Sequence, residues 1–142
     1  RTKERQHYID ELLKTGINLF VTGGQREKKL KIQEYAEYIR RSKISLNFPF
    51  CLSSFDQCKG RVYETLASNT LLLERRNEAT RKKFVPGKHY VEFETVGDLK
   101  EKIDYYLRND DQRIKISNEG NTFYKNNYSS YHFWKRIIDI LQ

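Results

Sequence analysis

The chain has 142 residues and a mass of 17.1 kDa, the size of one ordinary domain with a core of its own and too short for two such cores. Hydrophobic residues at 37% and aromatics at 13%, among them 8 Phe and 10 Tyr, exclude a disordered chain despite the 32% of charged residues. The net charge of +8, from 27 basic and 19 acidic residues, favours phosphate-bearing partners, whether nucleotide, nucleic acid or an anionic membrane surface.

Along the first segment, residues 2 to 15, Tyr8, Ile9, Leu12 and Leu13 recur at helical spacing, and Gly16 stands where a helix C-terminal glycine belongs. INLFV, residues 17 to 21, reads as a short buried strand closed by Thr22, Gly23 and Gly24. KLKIQEYAEYIRRSK follows as a helix with Ile32, Tyr35, Ala36 and Ile39 on one face. ISLNF, residues 44 to 48, is a second strand. After the turn-rich loop FPFCLSSFDQCKG a helix starts near Gly60 with Val62, Leu66 and Ala67 facing inward, and TLLLE at 70 to 74 gives a third strand. The Pro86-Gly87-Lys88 turn precedes HYVEFE, the fourth. Thr95 with Asp98 three residues on marks a helix N-terminus, and the helix carries Leu99, Ile103, Tyr106 and Leu107. Helices at about 110 to 125 and 129 to 141 end the chain.

Strands alternate with helices at spacings too long for hairpins, and each strand is a short continuous apolar run. That pattern predicts an α/β fold, a Rossmann-like three-layer parallel sheet with helices on both faces. Ligands of such sheets collect at the carboxyl ends of the strands, where the loops at Thr22 to Gly24 and Asn47 to Gly60 gather.

At that edge Lys59, Gly60 and Arg61 open a helix. A helix N-terminus presents unpaired N–H groups and the positive end of the dipole, a ready place for phosphate. Gly60 permits close approach of a ligand to the backbone, and Lys59 and Arg61 add charge-assisted donors suited to a diphosphate. Glu64 lies one turn on, where a carboxylate can accept from both hydroxyls of a ribose. An ordinary helix ion pair between Arg61 and Glu64 is the competing reading. Ser53 and Ser54, in the loop after ISLNF, are further candidates for a phosphate contact, with ordinary surface-loop serines as the competing reading.

RVYETLASNTLLLE resembles the arginine, aromatic, glutamate, small-residue pattern, followed by an apolar strand, of the C-terminal domain of GT-B glycosyltransferases, the bacterial group-one type related to spore-maturation proteins. EYAEYIRRSKISLNF before it and FVPGKHYVEFETVGDLKEKIDYYLRNDDQRIKISNEG after it agree in order, so the resemblance runs from about residue 15 to the end. Many retaining enzymes of this kind carry two glutamates separated by seven residues, the second on the donor's ribose. Glu64 matches the second and Asp56, one methylene shorter, stands at the first, with Lys59 and then Gly60 where the intervening glycine falls. Asn69 replaces a common glycine, and its tolerance of a left-handed backbone preserves the turn.

The resemblance implies a donor-binding domain over residues 1 to 142, with the N-terminal acceptor domain absent. Its substrate is a nucleotide-sugar such as a UDP- or GDP-sugar, and its acceptor a glycan or other hydroxyl compound. Alone it is expected to bind donor without transferring sugar. A separate acceptor-binding domain and peripheral membrane association remain open as partners, and nucleic acid is disfavoured. The alternative is a non-catalytic basic module for nucleic acid or another polyanion.

No cofactor is expected, and no metal, because the Asp-any-Asp triplet of the other large glycosyltransferase fold is missing. His7, His89 and His132 are scattered and read as structural. Gly23 and Gly24 lack the third glycine of a dinucleotide fingerprint. Cys51 and Cys58 lack zinc spacing and read as small core or loop residues. Tyr128, Tyr131, Phe133 and Trp134 read as core packing for the last helix. With no apolar run long enough to span a bilayer and a charged amphipathic N-terminus, a soluble, cytoplasmic chain is expected.

Overall fold

The computed structural model describes residues 3–22, 30–49 and 56–141. In chain order the elements are α1 (Lys3–Leu13), α2 (Ile32–Arg41), β1 (Ile44–Asn47), α3 (Gly60–Ala67), β2 (Leu71–Arg75), α4 (Glu78–Arg81), β3 (Val91–Phe93), α5 (Val96–Arg108), α6 (Asp110–Asn127) and α7 (Ser130–Leu141). The three strands pair in parallel in the order β1-β2-β3. Every crossover carries a helix, as parallel pairing requires.

β2 is apolar on both faces because both are covered. Leu71 and Leu73 join Tyr8 and Leu12 of α1, Leu99 and Ile103 of α5, and Val91 and Phe93 of β3 in one core. Leu72 turns the other way and packs with Val62 and Leu66 of α3, Phe84 and Tyr90. All three leucines are fully buried, and burial of that kind stabilises by roughly 2 kcal/mol per side chain. The three-layer expectation is therefore met.

Local signals acted where they were read. Gly16 takes φ +73° after α1, and Asn69 takes φ +55° in the turn between α3 and β2. Thr95 Oγ1 accepts from Asp98 N at 3.1 Å, while Asp98 Oδ2 accepts from Glu94 N at 2.9 Å, so the reciprocal bond of the cap falls one residue early. α6 crosses α3 closely at Gly120, where an added Cβ would meet the His89 carbonyl oxygen at 2.3 Å. One residue on, buried Asn121 donates to the Leu66 and Ala67 carbonyls at 2.7 and 3.1 Å and caps the end of α3.

Several expectations fail, among them Ala67, which is exposed on α3 rather than facing inward. Residues 17–21 form no strand: Ile17 and Leu19 pack on the first core, but Phe20 is 51% exposed and stacks on Tyr38 at 4.1 Å between centroids. An apolar extended run becomes a strand only when a neighbour supplies ladder hydrogen bonds, and β1 takes its partner from β2 instead. Likewise α7 is amphipathic but buries nothing. Tyr131, Phe133 and Trp134 are exposed, and of the aromatic group only half-buried Tyr128 joins the core, against Phe84 and Tyr63. On α2, Ile39 is buried whereas Ile32 and Ala36 are exposed. Among the described residues no helix is long and apolar enough to cross a membrane.

Candidate functional site

α3 begins at Gly60 with Lys59 as its N-cap, and the Lys59 side chain makes no capping bond. Lysine offers no acceptor, so the first-turn amides are not covered in the usual way. The first exposed side of α3 carries Arg61 and Glu64. Arg61 Nε lies 3.5 Å from Glu64 Oε2, an ion pair without hydrogen-bond alignment, and its guanidinium sits 4.8 Å over the Tyr35 ring. The Tyr35 hydroxyl, from α2, donates to the same Oε2. Burial and that bond to Glu64 hold the Tyr35 phenol above its ordinary range, so it stays a donor.

Glu64 is thus held by one oxygen. Both partners address Oε2, the side chain is 49% exposed, and Oε1 lies 3.7 Å from where a Cβ at Gly60 would stand. The absence of a side chain at position 60 keeps the approach to Oε1 open. Carboxylates fixed in this manner need little reordering to accept from a ligand.

The remaining expected site residues are placed unevenly. Lys59 Nζ donates to Gln57 Oε1 at 2.7 Å, beside the α3 terminus. Asp56 faces α4 instead, its Oδ2 accepting from Glu78 N at 3.2 Å, and does not meet Glu64. Asn77 Nδ2 donates to the Gln57 carbonyl at 2.8 Å, which ties the same stretch to the start of α4. Ser53, Ser54, Cys51, Gly23 and Gly24 lie outside the described residues. Cys58 is a half-buried free thiol whose pKa is raised by burial. His89 is structural: its Nδ1 accepts from Val85 N at 3.1 Å, its ring stacks on Phe123, and burial lowers its pKa.

Beneath α3 and α4 lies a polar row absent from the sequence reading. The sheet register sets Asn47, Glu74 and Glu92 side by side across β1, β2 and β3. Glu92 is well compensated, accepting from Arg81 Nε at 2.8 and 3.0 Å and from the Tyr90 hydroxyl at 2.8 Å. Glu74 is fully buried, and its Oε1 accepts from Asn47 Nδ2 at 2.8 Å. Burial pushes its carboxyl up to about 7, with Glu92 adding to the rise and Thr80, Asn47 and Asn77 opposing it. Two signals for this row were available. A glutamate closes the otherwise apolar run TLLLE, and Asn47 closes ISLN.

Comparison with known proteins agrees with this architecture. The crystal structure of the C-terminal domain of a glycosyl transferase group 1 family protein, LpcC, from Francisella tularensis superposes with a TM-score of 0.63. The two are 17% identical, and the match covers 91% of this chain and 66% of that one, a likeness of fold. No curated protein sequence matches the chain. The family model described as "Glycosyl transferase-like", Glyco_trans_1_2, matches residues 2–139, and the chain therefore belongs to that glycosyl transferase-like family.

Proposed function

We propose that the domain binds the nucleoside diphosphate portion of a nucleotide-sugar, for transfer of its glycosyl group to an acceptor hydroxyl. The supporting observation is the half-fixed Glu64 at the first turn of α3: Oε2 is anchored by Tyr35 and Arg61, and Oε1 faces an approach kept open by Gly60. In this reading Oε1 accepts from the ribose hydroxyls. The diphosphate lies at the uncapped amides of Gly60 and Arg61 with the Lys59 and Arg61 side chains near it. The helix ion pair is this same Arg61 contact on Oε2, so it leaves Oε1 for the ligand.

A panel of nucleoside diphosphates at millimolar concentration tests the reading by thermal shift, since a ligand of the folded state alone raises the transition temperature. At least one diphosphate is expected to stabilise the protein. Glu64→Gln keeps the shape and removes the charge, and hydrogen bonds to charged groups are worth about 1.5 to 3 kcal/mol, so affinity should fall about tenfold or more. A shift with short DNA and none with any nucleotide points to the polyanion module instead, with its steep salt dependence.

A further inference from the structure

The polar row under α3 has one defect. Glu74 Oε2 and Thr80 Oγ1 are both buried, and neither makes a hydrogen bond among the described residues. Thr80 stands beside the Glu74 carboxyl and the Cys58 thiol, aligned with neither. While the carboxyl is ionised, the Thr80 hydroxyl and the Asn77 side chain oppose its protonation, but they offset only part of the cost of burying the charge. A proton on Oε2 removes that charge. Oε2–H then donates to Thr80 Oγ1, and the Thr80 hydroxyl is released toward Cys58.

Burial and the Glu92 charge favour that proton, and the hydrogen bonds of Thr80, Asn47 and Asn77 oppose it without adding a positive charge. Asn47 on β1 is neutral, as are Asn77 and Thr80 on α4. Cys58, in the segment leading to α3, has a pKa raised by burial and by the Glu74 charge, so it stays a thiol. On β3, Glu92 repels a second carboxylate, and the Arg81 cation is taken up by Glu92. Lys83 acts on the Cys58 thiol.

The position of this carboxyl links it to the surface above. Leu72 and Glu74 share one face of β2, and Leu72 is the residue on which α3 rests. Asn77 and Glu78, at the start of α4, hold Gln57 and Asp56, and Cys58 lies two residues before Gly60. The Glu74 charge acts on Cys58, so it reaches the segment that leads into the N-terminal turn of α3, and its burial leaves it little screened by salt.

We propose that Glu74 is a positioning residue that carries a proton when an anion occupies the N-terminal turn of α3, so that diphosphate binding and proton uptake are coupled. The inference rests on the donor-site reading for the identity of the anion. The burial that lifts this carboxyl to about 7 places the exchange near neutral pH. Linkage makes the effect reciprocal: protonation tightens the anion, and the anion raises the proton affinity.

The test is isothermal titration with UDP, GDP and inorganic pyrophosphate at pH 6, 7 and 8, in buffers of different ionisation enthalpy, on wild type and Glu74→Gln. Glutamine is the shape of the neutral acid and can donate to Thr80. Wild type should bind about fivefold tighter at pH 6 than at pH 8, at the low end of ordinary couplings, and take up a fraction of a proton at pH 7. In Glu74→Gln the uptake should vanish, leaving only the release expected from the ligand's own phosphate, while affinity at pH 8 rises to the wild-type value at pH 6. Infrared spectra give a reading independent of any ligand: a protonated carboxyl band present at pH 6 in wild type and missing in the variant. Equal proton counts in the two proteins, or no such band, overturn the coupling and leave the donor site standing. Coupled pyrophosphate binding without added affinity for either nucleotide supports the coupling and removes the donor reading. If no probe binds at either pH, both fall.

Discussion

Glu64 and Glu74 are the same side chain ten positions apart, on consecutive elements, and they live in opposite worlds. Glu64 is half exposed on α3 with a cation and a phenol on one oxygen, and water reaches the rest of it. Glu74 is fully buried at the end of β2, and its neutral neighbours replace only part of the water it lost. A surface acid of the first kind costs the fold little and is available to a ligand. An interior acid of the second kind is pushed toward its neutral form by burial.

The largest expected consequence comes from deleting the interior acid. Glu74→Ala removes the partner of Asn47 and leaves a cavity beneath α3, and it should cost about 3 to 5 kcal/mol at pH 5 by urea denaturation. A loss under about 1 kcal/mol there would break the contrast, because it would mean that Glu74 is not integrated in the row.

The next effect is in pH. The unfolded carboxyl titrates near 4.5 and the folded one near 7, so between those values the folded state holds more protons and stability falls as pH rises. The fall should total about 3 kcal/mol, complete by about pH 8, and be absent in Glu74→Gln. Glu92, Asp98 and Asp110 have lowered pKa values, so their contributions are present above the ordinary carboxylate range and lost only in acid. The two limbs occupy separate windows. A stability curve rising through pH 5 to 8 would contradict a neutral Glu74.

The smallest effect belongs to the surface acid. Glu64→Ala should change stability by no more than about 0.5 kcal/mol, since exposed ion pairs contribute little, while nucleotide affinity falls as in Glu64→Gln. A large loss of stability would assign Glu64 to the fold rather than to a ligand.

Much of this was open to inspection before any coordinates. The alternation of apolar runs with helical segments gave the layered α/β class, Asn69 the left-handed turn, and Thr95 with Asp98 the start of α5. These are local preferences, carried by residues within a few positions of one another, and periodicity reads them directly. The grouping of Arg61 with Glu64 is of the same kind, since three residues on a helix share a face.

Other features depended on which segments meet. Tyr35 reaches Glu64 from 29 residues away, across two helices. Residues 17–21 had the composition of a strand, but a strand exists only with a partner, and none pairs with that segment among the described residues. α7 had the aromatics of a core helix, and the surfaces that fill the core came from α1, α3, α5 and α6 instead. The charge of Glu74 was decided furthest from the sequence. TLLLE shows a glutamate at the end of an apolar run and nothing of its state. Sheet register set it between Asn47 and Glu92, α4 brought Thr80 over it, and the core removed its water. Ionisation is a balance between lost hydration and neighbouring dipoles and charges, and only the tertiary structure fixes those neighbours.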